Sequence, residues 1–395
     1  MEQFTRIEEV LLGIVGRENV TAFPEHTARY AVDGITPKAV VVPADIEQVA
    51  EVVKLANRER MAVIAWGSGS KIGMGSPPDR LDLVISTSRL NHMTDVDTAN
   101  LTITVQAGVK IKDIQTRLAS EDNRCYLPLA DTENEAGGQI CSERENTGCF
   151  LPFDPPFGDS ATIGGVVAGN SSGPRQLLYG LPRDLLLGVR FVAPNGDIIG
   201  TGGKTVKNVS GYDISKLMIG SWGTLGILSE MTLRLLPLPE KMETLLFAYP
   251  TLSDAAAFAD SLFETSLLPA AVEVINRTLF KRLGITCACD TGSCDYWAAI
   301  ALEGFDEAVA RMRNEMGEIA KNSGAKGKIH LRGDRHQTFW QAISNLEIPL
   351  VARFSDIIRL KLNYPLSQWK DIISFATGVL SSKNIGLLLF HLSFK

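Results

Sequence analysis

The 395-residue sequence carries no excess of positive charge. Its 39 Lys and Arg stand against 45 Asp and Glu, giving a net charge of −6. That acidic, unpatterned balance argues against a nucleic-acid partner, which would call for a basic face. No run of about 18 apolar residues offers a membrane-crossing helix. The first twenty residues, MEQFTRIEEVLLGIVGRENV, lack the basic region, apolar run and small-residue cleavage site of a signal peptide. The expectation is a cytoplasmic protein with reduced cysteines; peripheral association at the inner membrane face is left open. Tandem repeats and low-complexity tracts are also missing. Hydrophobic residues are 45% and charged residues 21%, which excludes wholesale disorder, a collagen-like fibre and a small disulfide scaffold. At roughly 150 residues per domain, the length suggests two or three domains.

Glycine is what the chain has in quantity, and it is unevenly spread. Of 35 glycines, 8 lie before residue 137, 18 between 137 and 226, and 9 beyond. Glycine costs conformational entropy on folding, so such density points to backbone that turns tightly or approaches something closely.

Along the chain, AVVVP at 39–43 reads as a buried strand. Asp45 caps a helix with Ile46, Val49, Val52, Val53 and Ala56 at helical spacing, and AVIAW at 62–66 completes a β-α-β unit. Further strands are expected at 81–86 and 101–106, and a short helix from Ile111 to Ala119. The stretch 124–160 is long and irregular, which marks it as functional or mobile. LGVRFVA, the turn signal Asn195-Gly196 and DIIGTG form a hairpin. A helix from Tyr212 to Ile219 and an alternating strand at 227–236 follow, and Leu236-Pro237-Leu238-Pro239 reads as a linker. Beyond it, helices are expected at Asp254–Phe263 and Phe305–Ala320. Strands are expected at 244–248, 297–302, 357–362 and 387–392, giving a second, α+β domain.

Three constellations carry chemistry. Gly67-Ser68-Gly69-Ser70-Lys71-Ile72-Gly73 follows a strand, and its successive N–H groups can form an anion-binding nest. It lacks Walker A spacing. It also lacks the third glycine and the downstream acid of a dinucleotide fingerprint, which disfavours a nicotinamide-dependent dehydrogenase. In Thr162-Ile163-Gly164-Gly165-Val166-Val167-Ala168-Gly169-Asn170, small residues leave one face nearly bare, for tight helix packing or for a flat cofactor surface. The third runs from Gly202-Gly203 through Lys207-Asn208 and Gly211-Tyr212-Asp213 to Gly223-Thr224-Leu225-Gly226.

In this order the motifs resemble the vanillyl-alcohol oxidase/p-cresol methylhydroxylase (PCMH-type) flavoproteins over about residues 36–240. Within them the chain is most similar to the FAD-binding subunits of bacterial glycolate oxidase, the GlcE type. The D-lactate and D-2-hydroxyglutarate dehydrogenases are more distant kin. The resemblance implies an α+β protein: a PCMH-type FAD-binding domain of two α/β subdomains over residues 1–240, with an insertion at about 129–150, then an α+β cap over 241–395. It implies FAD on the Gly67, Ser68, Gly69, Ser70 and Gly73 loop, with Pro43 nearby. Ala161, Thr162, Gly164, Gly165 and Ala168 would line the cofactor, continued by Gly173, Gly180, Arg183 and Asp184. Gly226 and Ile227 would meet the adenine end. Lys207, Asn208 and Tyr212 match a motif that is structural as much as functional.

Some members attach FAD through His or Cys. None lies between Trp66 and Pro78, so non-covalent FAD is expected, with Cys149 the nearest alternative. The implied activity is oxidation of a small 2-hydroxy acid, glycolate or D-lactate, with electrons passing to an iron–sulfur subunit beside a homologous flavoprotein subunit. A non-catalytic FAD-binding electron-transfer or structural subunit is the alternative. Arg359 and Arg353 are the candidates for holding the substrate carboxylate, since Arg binds carboxylates bidentately.

The departures concern the second domain. The family's GH-x-GDGN-x-H metal element is represented only by His330-Leu331-Arg332-Gly333-Asp334-Arg335-His336, one residue short, and reads as a solvated loop rather than a metal site. The Asn-Pro-Gly ending is absent, so a truncated or divergent C-terminus is expected. Cys287, Cys289 and Cys294 lack the fourth ligand and C-x-x-C spacing of a zinc or iron–sulfur site.

Overall fold

A computed structural model describes residues 2–120, 148–203, 213–284, 294–346, 348, 371, 375, 378 and 389–391. The chain divides into two compact units. The first comprises Met1–Leu118, Cys149–Ser172 and Leu181–Leu236. The second comprises Ala119–Gly148, Gly173–Gly180 and Pro237–Lys395.

The first unit holds two sheets. One has strand order Val20–Thr21, Ala39–Val41, Leu83–Ser86, Val63–Trp66, and its last three strands run parallel. The intervening helix Ile46–Arg58 starts where the Asp45 carboxylate accepts from Gln48 N at 2.7 Å, satisfying a helix-end donor that has no intrahelical partner. Its Val49, Val52, Val53 and Ala56 are buried against Val41, Ile85 and the helix Glu2–Val15, through Leu11 and Val15.

The other sheet is antiparallel throughout, in the order Met93–Asp97, Thr102–Gln106, Ile227–Arg234, Leu186–Val192, Ile198–Gly202. Gly196, at φ +87°, makes the tight turn of the last hairpin. The helix Ile111–Ala119 lays Ile111, Ile114 and Leu118 on Ile103, Val105, Met231 and Leu233. This period-2 strand pattern facing a period-3.6 helix is the ordinary way such a sheet closes its core.

The second unit is a five-stranded antiparallel sheet, ordered Gly327–Arg332, Lys241–Tyr249, Tyr296–Gly304, Ala271–Asn276, Leu389–His391. Leu245, Phe247 and Tyr249 point to the helices Leu252–Phe263 and Asp306–Asn322. Leu246 and Ala248 alternate to the opposite face, with Trp297, Phe339 and Trp340.

Three features depart from the sequence expectations. The strand Ala271–Asn276 was not anticipated. Residues 330–336, expected as a solvated loop, form the end of the strand Gly327–Arg332 and the start of the helix Gly333–Ser344. Residues 173–180, expected inside the first domain, group with the second unit, because Leu178 and Tyr179 pack on its Trp297–Trp340 cluster. The expected strand at 357–362 lies outside the described residues.

Candidate functional site: a glycine-walled cleft in the first unit

A cleft of about 130 Å³ opens in the first unit. Its floor is the end of the parallel sheet, Ala65 and Trp66, running into the loop Gly67 to Ile72. Its far wall is Ala161 to Gly169 with Ser171, and its edge is Trp222, Gly223, Gly226 and Ile227. The wall is tied to the segments beside it. Gly164 N donates to Ala107 O at 2.9 Å, Ile163 N to Val109 O at 2.8 Å, and Trp222 N to Ala168 O at 2.9 Å.

Close approach explains the glycines. A Cβ on Gly67 would lie 2.4 Å from the Thr162 hydroxyl oxygen, so the loop and the opposite wall touch there. Gly69 sits at φ +72° with its hydrogen facing the Trp66 ring, where a Cβ would fall 2.4 Å from a ring carbon. Both features need glycine on steric grounds. The 162–170 stretch contains both a packing glycine and a glycine open to the cleft. Gly164 is buried and packs on Ala107, where a Cβ would lie 2.8 Å away; Gly165 is exposed to the cleft. Thr162 begins the short helix Ile163–Ala168, its hydroxyl accepting from Gly165 N at 3.3 Å.

Among the expected cofactor residues, the cleft brings together Gly67, Ser68, Gly69, Ser70, Ala161, Thr162, Gly164, Gly165, Ala168, Gly226 and Ile227. It does not include Gly73, which is exposed, or Pro43, which is buried behind the strand Ala39–Val41. Gly173 and Gly180 belong to the second unit. Arg183 and Asp184 are exposed on the turn of helix Pro182–Leu185, where the Asp184 carboxylate accepts from Leu181 N at 2.8 Å. Lys207, Asn208, Tyr212, Arg353, Arg359, Cys287 and Cys289 lie outside the described residues. Lys71, Ser171 and Trp222 line the cleft without having been singled out. The signal for Lys71 was its place inside the glycine–serine loop; for Ser171 and Trp222 only the fold supplies one. Trp222 is 49% exposed and holds φ +54°, an uncommon conformation for a bulky residue.

The second unit buries three polar clusters. The Glu243 carboxylate accepts from Arg313 at 2.8 and 2.9 Å and meets His330 Nε2 at 2.8 Å. Burial pushes its pKa up, but the hydrogen bonds and charges of His330 and Arg313 outweigh that and hold it at about 2. Glu303 is paired with Arg175 and Tyr179. His336, buried on helix Gly333–Ser344, meets Thr244 Oγ1 through Nδ1 at 2.7 Å. Burial lowers its pKa to about 4, against the opposing pull of Glu303. His330 and His336 thus serve different partners. Among the described residues no group of three or more His, Cys, Asp or Glu could hold a metal ion, and no helix is long and apolar enough to cross a membrane.

Residues 37–144 and 135–202 match the family described as FAD binding domain. Glycolate oxidase subunit GlcD of Bacillus subtilis is 32% identical over 276 residues, covering 69% of this chain and 53% of that protein. A D-lactate dehydrogenase of Archaeoglobus fulgidus is 30% identical, covering 72% and 57%. The chain therefore spans little more than half the length of these relatives. Among solved structures, p-cresol methylhydroxylase aligns with a TM-score of 0.64 at 18% identity, covering 86% of this chain and 72% of that one. An alkyldihydroxyacetonephosphate synthase aligns with a TM-score of 0.67 at 20% identity, covering 87% and 63%.

The chain has the fold of the PCMH-type flavoproteins. Residues 37–202 carry the match to an FAD binding domain, and FAD is the cofactor of the chain. The residues of the cleft fit that group. Gly165 leaves the cleft wall bare where a side chain would otherwise stand, and acids are absent from the lining. Two polar atoms beside lining residues, Asn170 Oδ1 and Ser221 Oγ, are buried with no hydrogen-bond partner among the described residues.

Proposed function

We propose that this chain is the FAD-binding part of a 2-hydroxy-acid oxidoreductase acting on glycolate or D-lactate. The observation that carries the reading is the bare, acid-free cleft between the 67–72 loop and the 161–169 wall, inside a domain matched to FAD binding. Similarity to a glycolate oxidase subunit and to D-lactate dehydrogenases supplies the substrate class. When bound, FAD accepts the hydride equivalent lost from the α-carbon of the hydroxy acid. The protein's part at the cleft is to bind and orient. Hydroxyls of Ser68, Ser70 and Ser171, with backbone N–H groups, would hold the phosphates, and Thr162 fixes the wall by capping its helix. Arg359 and Arg353 are the residues we assign to the substrate carboxylate.

We further propose the GlcE type of subunit, held non-covalently with FAD and passing electrons to an iron–sulfur partner beside a homologous flavoprotein subunit. A specific observation favours its variant reading, a non-catalytic FAD-binding subunit: His330 and His336, which stand where the family's metal element is expected, are each engaged by a different buried partner.

The test is anaerobic addition of glycolate or D-lactate to the purified yellow protein. Bleaching of the flavin bands at a useful rate establishes the catalytic reading. A flavin that bleaches only with dithionite establishes the non-catalytic one. A folded protein that takes up no FAD removes both.

A further inference from the structure

Two tryptophans line the cleft, and the fold treats them differently. Trp66 is packed. The Tyr30 ring meets it edge-on at 5.0 Å, and Gly69 lies so close that a Cβ there would fall 2.4 Å from a ring carbon. Trp222 stands out from the cleft edge and is 49% exposed. Only the far end of its indole, Cη2 and Cζ3, nears Gly169, where a Cβ would come within 3.7 Å.

The backbone beneath Trp222 is fixed in a conformation that does not suit it. Trp222 N donates to Ala168 O at 2.9 Å, Gly220 N to Val167 O at 3.2 Å and Thr224 N to Ser221 O at 2.9 Å. The turn is thereby pinned to the end of the wall helix. Within it Trp222 holds φ +54°, between Gly220 at +74° and Gly223 at +77°. This left-handed region is open to glycine and strained for a bulky side chain. For the fold alone, a strained indole left half in water is a poor choice of residue. A planar ring in the cleft changes that balance, because stacking on the indole removes apolar surface of both partners from water.

We infer that Trp222 is the aromatic platform on which a planar ring of the bound dinucleotide stacks, and that its left-handed turn aims the indole at that ring. This role rests on the reading of the cleft as the FAD site. It adds recognition of a ring by a side chain remote from the glycine–serine loop. Isoalloxazine and adenine share the required chemistry, a flat heteroaromatic face. Trp222 thus trades fold stability for binding, the reverse of a core tryptophan.

The test uses the full chain stripped of flavin and reads labelling, binding and melting rather than turnover. A tryptophan-selective reagent, 2-hydroxy-5-nitrobenzyl bromide, is applied and its adducts are mapped by peptide mass. Trp222 should label in the flavin-free protein and lose most of that labelling when FAD is bound. FMN and ADP each carry one of the two rings. Added at concentrations that displace FAD, the one that protects Trp222 carries the stacked ring. Trp222→Gly should bind FAD about 10- to 100-fold more weakly, the range for losing one stacked base. Without flavin it should melt no lower than wild type, since relief of the left-handed strain offsets the entropy glycine loses on folding. Trp222→Phe should keep most of the affinity.

Equal labelling of Trp222 with and without FAD overturns the inference while leaving the FAD reading intact. That result needs no variant to fold, and it is the one expected of an indole that faces a protein partner instead. Protection by neither FMN nor ADP overturns it too, as does Trp222→Gly binding FAD within about twofold of wild type. A Trp222→Gly protein that melts well below wild type marks the indole as packing and also overturns it. A folded wild type that takes up no FAD removes the reading of the cleft, and this role with it.

Discussion

Arg175 grips the buried Glu303 carboxylate with both ends of its guanidinium, Nε to Oε1 at 2.9 Å and a terminal nitrogen to Oε2 at 2.5 Å. The Tyr179 hydroxyl donates to the same Oε2 at 2.6 Å. The Glu303 side chain is 1% exposed and that of Arg175 11%. This pair fastens residues 173–180 to the second unit, although the chain on both sides of the segment belongs to the first.

Breaking such a pair is costlier than never having had it, because the surviving charge stays buried. Arg175→Met should therefore destabilise the second unit by about 3–5 kcal/mol, read as a lower urea midpoint at constant slope. Replacing both partners, Arg175→Met with Glu303→Leu, should recover part of that loss. A single Arg175→Met variant within 1 kcal/mol of wild type would show that the pair contributes little.

The adjacent glycines 164 and 165 should separate by experiment. Gly164→Ala puts a Cβ 2.8 Å from Ala107 in the core, so it should lower the melting temperature with or without FAD. Gly165→Ala meets only the Thr162 hydroxyl, at 3.2 Å, and gains helix propensity of up to about 1 kcal/mol. The flavin-free protein should keep its melting temperature, while FAD affinity falls at least tenfold because the added methyl occupies the cleft. Equal effects of the two substitutions on stability and on binding would contradict the assignment of one glycine to packing and the other to the cofactor.

The contrast between these glycines also shows what the sequence could and could not disclose. Periodicity found the helices at 46–58 and 111–119 and most strands of the first unit, because each buries a clean face: Val49, Val52, Val53 and Ala56 on one helix, Ile103 and Val105 on a strand. The glycine–serine loop and the 162–169 wall stood out in the sequence by their bareness, and the structure brings both to one cleft. Which of Gly164 and Gly165 packs on the core was not legible, since that depends on Ala107, more than fifty residues earlier. The end of the strand Gly327–Arg332 was read as part of a solvated loop because His330 and Arg332 are polar. Those polar groups point to Glu243 on the neighbouring strand, a long-range partner that composition does not reveal. Ala271–Asn276 was missed for a similar reason: Glu273 is fully buried in it, and buried acids are rare. The 173–180 segment follows the same rule. Its destination is fixed by Glu303, 128 residues further on.

Acid should unfold the second unit in two stages. His336 titrates near 4 in the folded protein, below the 6.5 of an unperturbed histidine, because burial disfavours its cation. Arg175 adds to that shift, while Glu303, the Glu243 carboxylate and the Glu243 carbonyl oppose it. A depressed pKa means the unfolded chain binds the proton first, so stability is complete above about pH 6.5 and drains as pH falls toward 4. Glu243, held at about 2 against an ordinary 4.5 by His330 and Arg313, adds a second loss between those values. Stability measured by urea at successive pH values should fall across both windows. His336→Phe should flatten the upper window and leave the lower one. If the upper slope survives in His336→Phe, another group is responsible for it.

FAD should leave the protein intact under acid. The side chains lining the cleft include neither His nor Cys, the residue types that bond flavin covalently in the resembling family. Cys149, the nearest alternative in sequence, is 4% exposed and packs in the core of the first unit with Leu151, Ile163 and Met231. Its sulfur does not border the cleft. Precipitation of the yellow protein with trichloroacetic acid should therefore give a colourless pellet and a yellow supernatant whose flavin runs as FAD. The Cys149→Ser variant should carry the same amount of flavin as wild type. A yellow pellet that survives washing would demand a covalent link, and its loss in Cys149→Ser would place that link at Cys149.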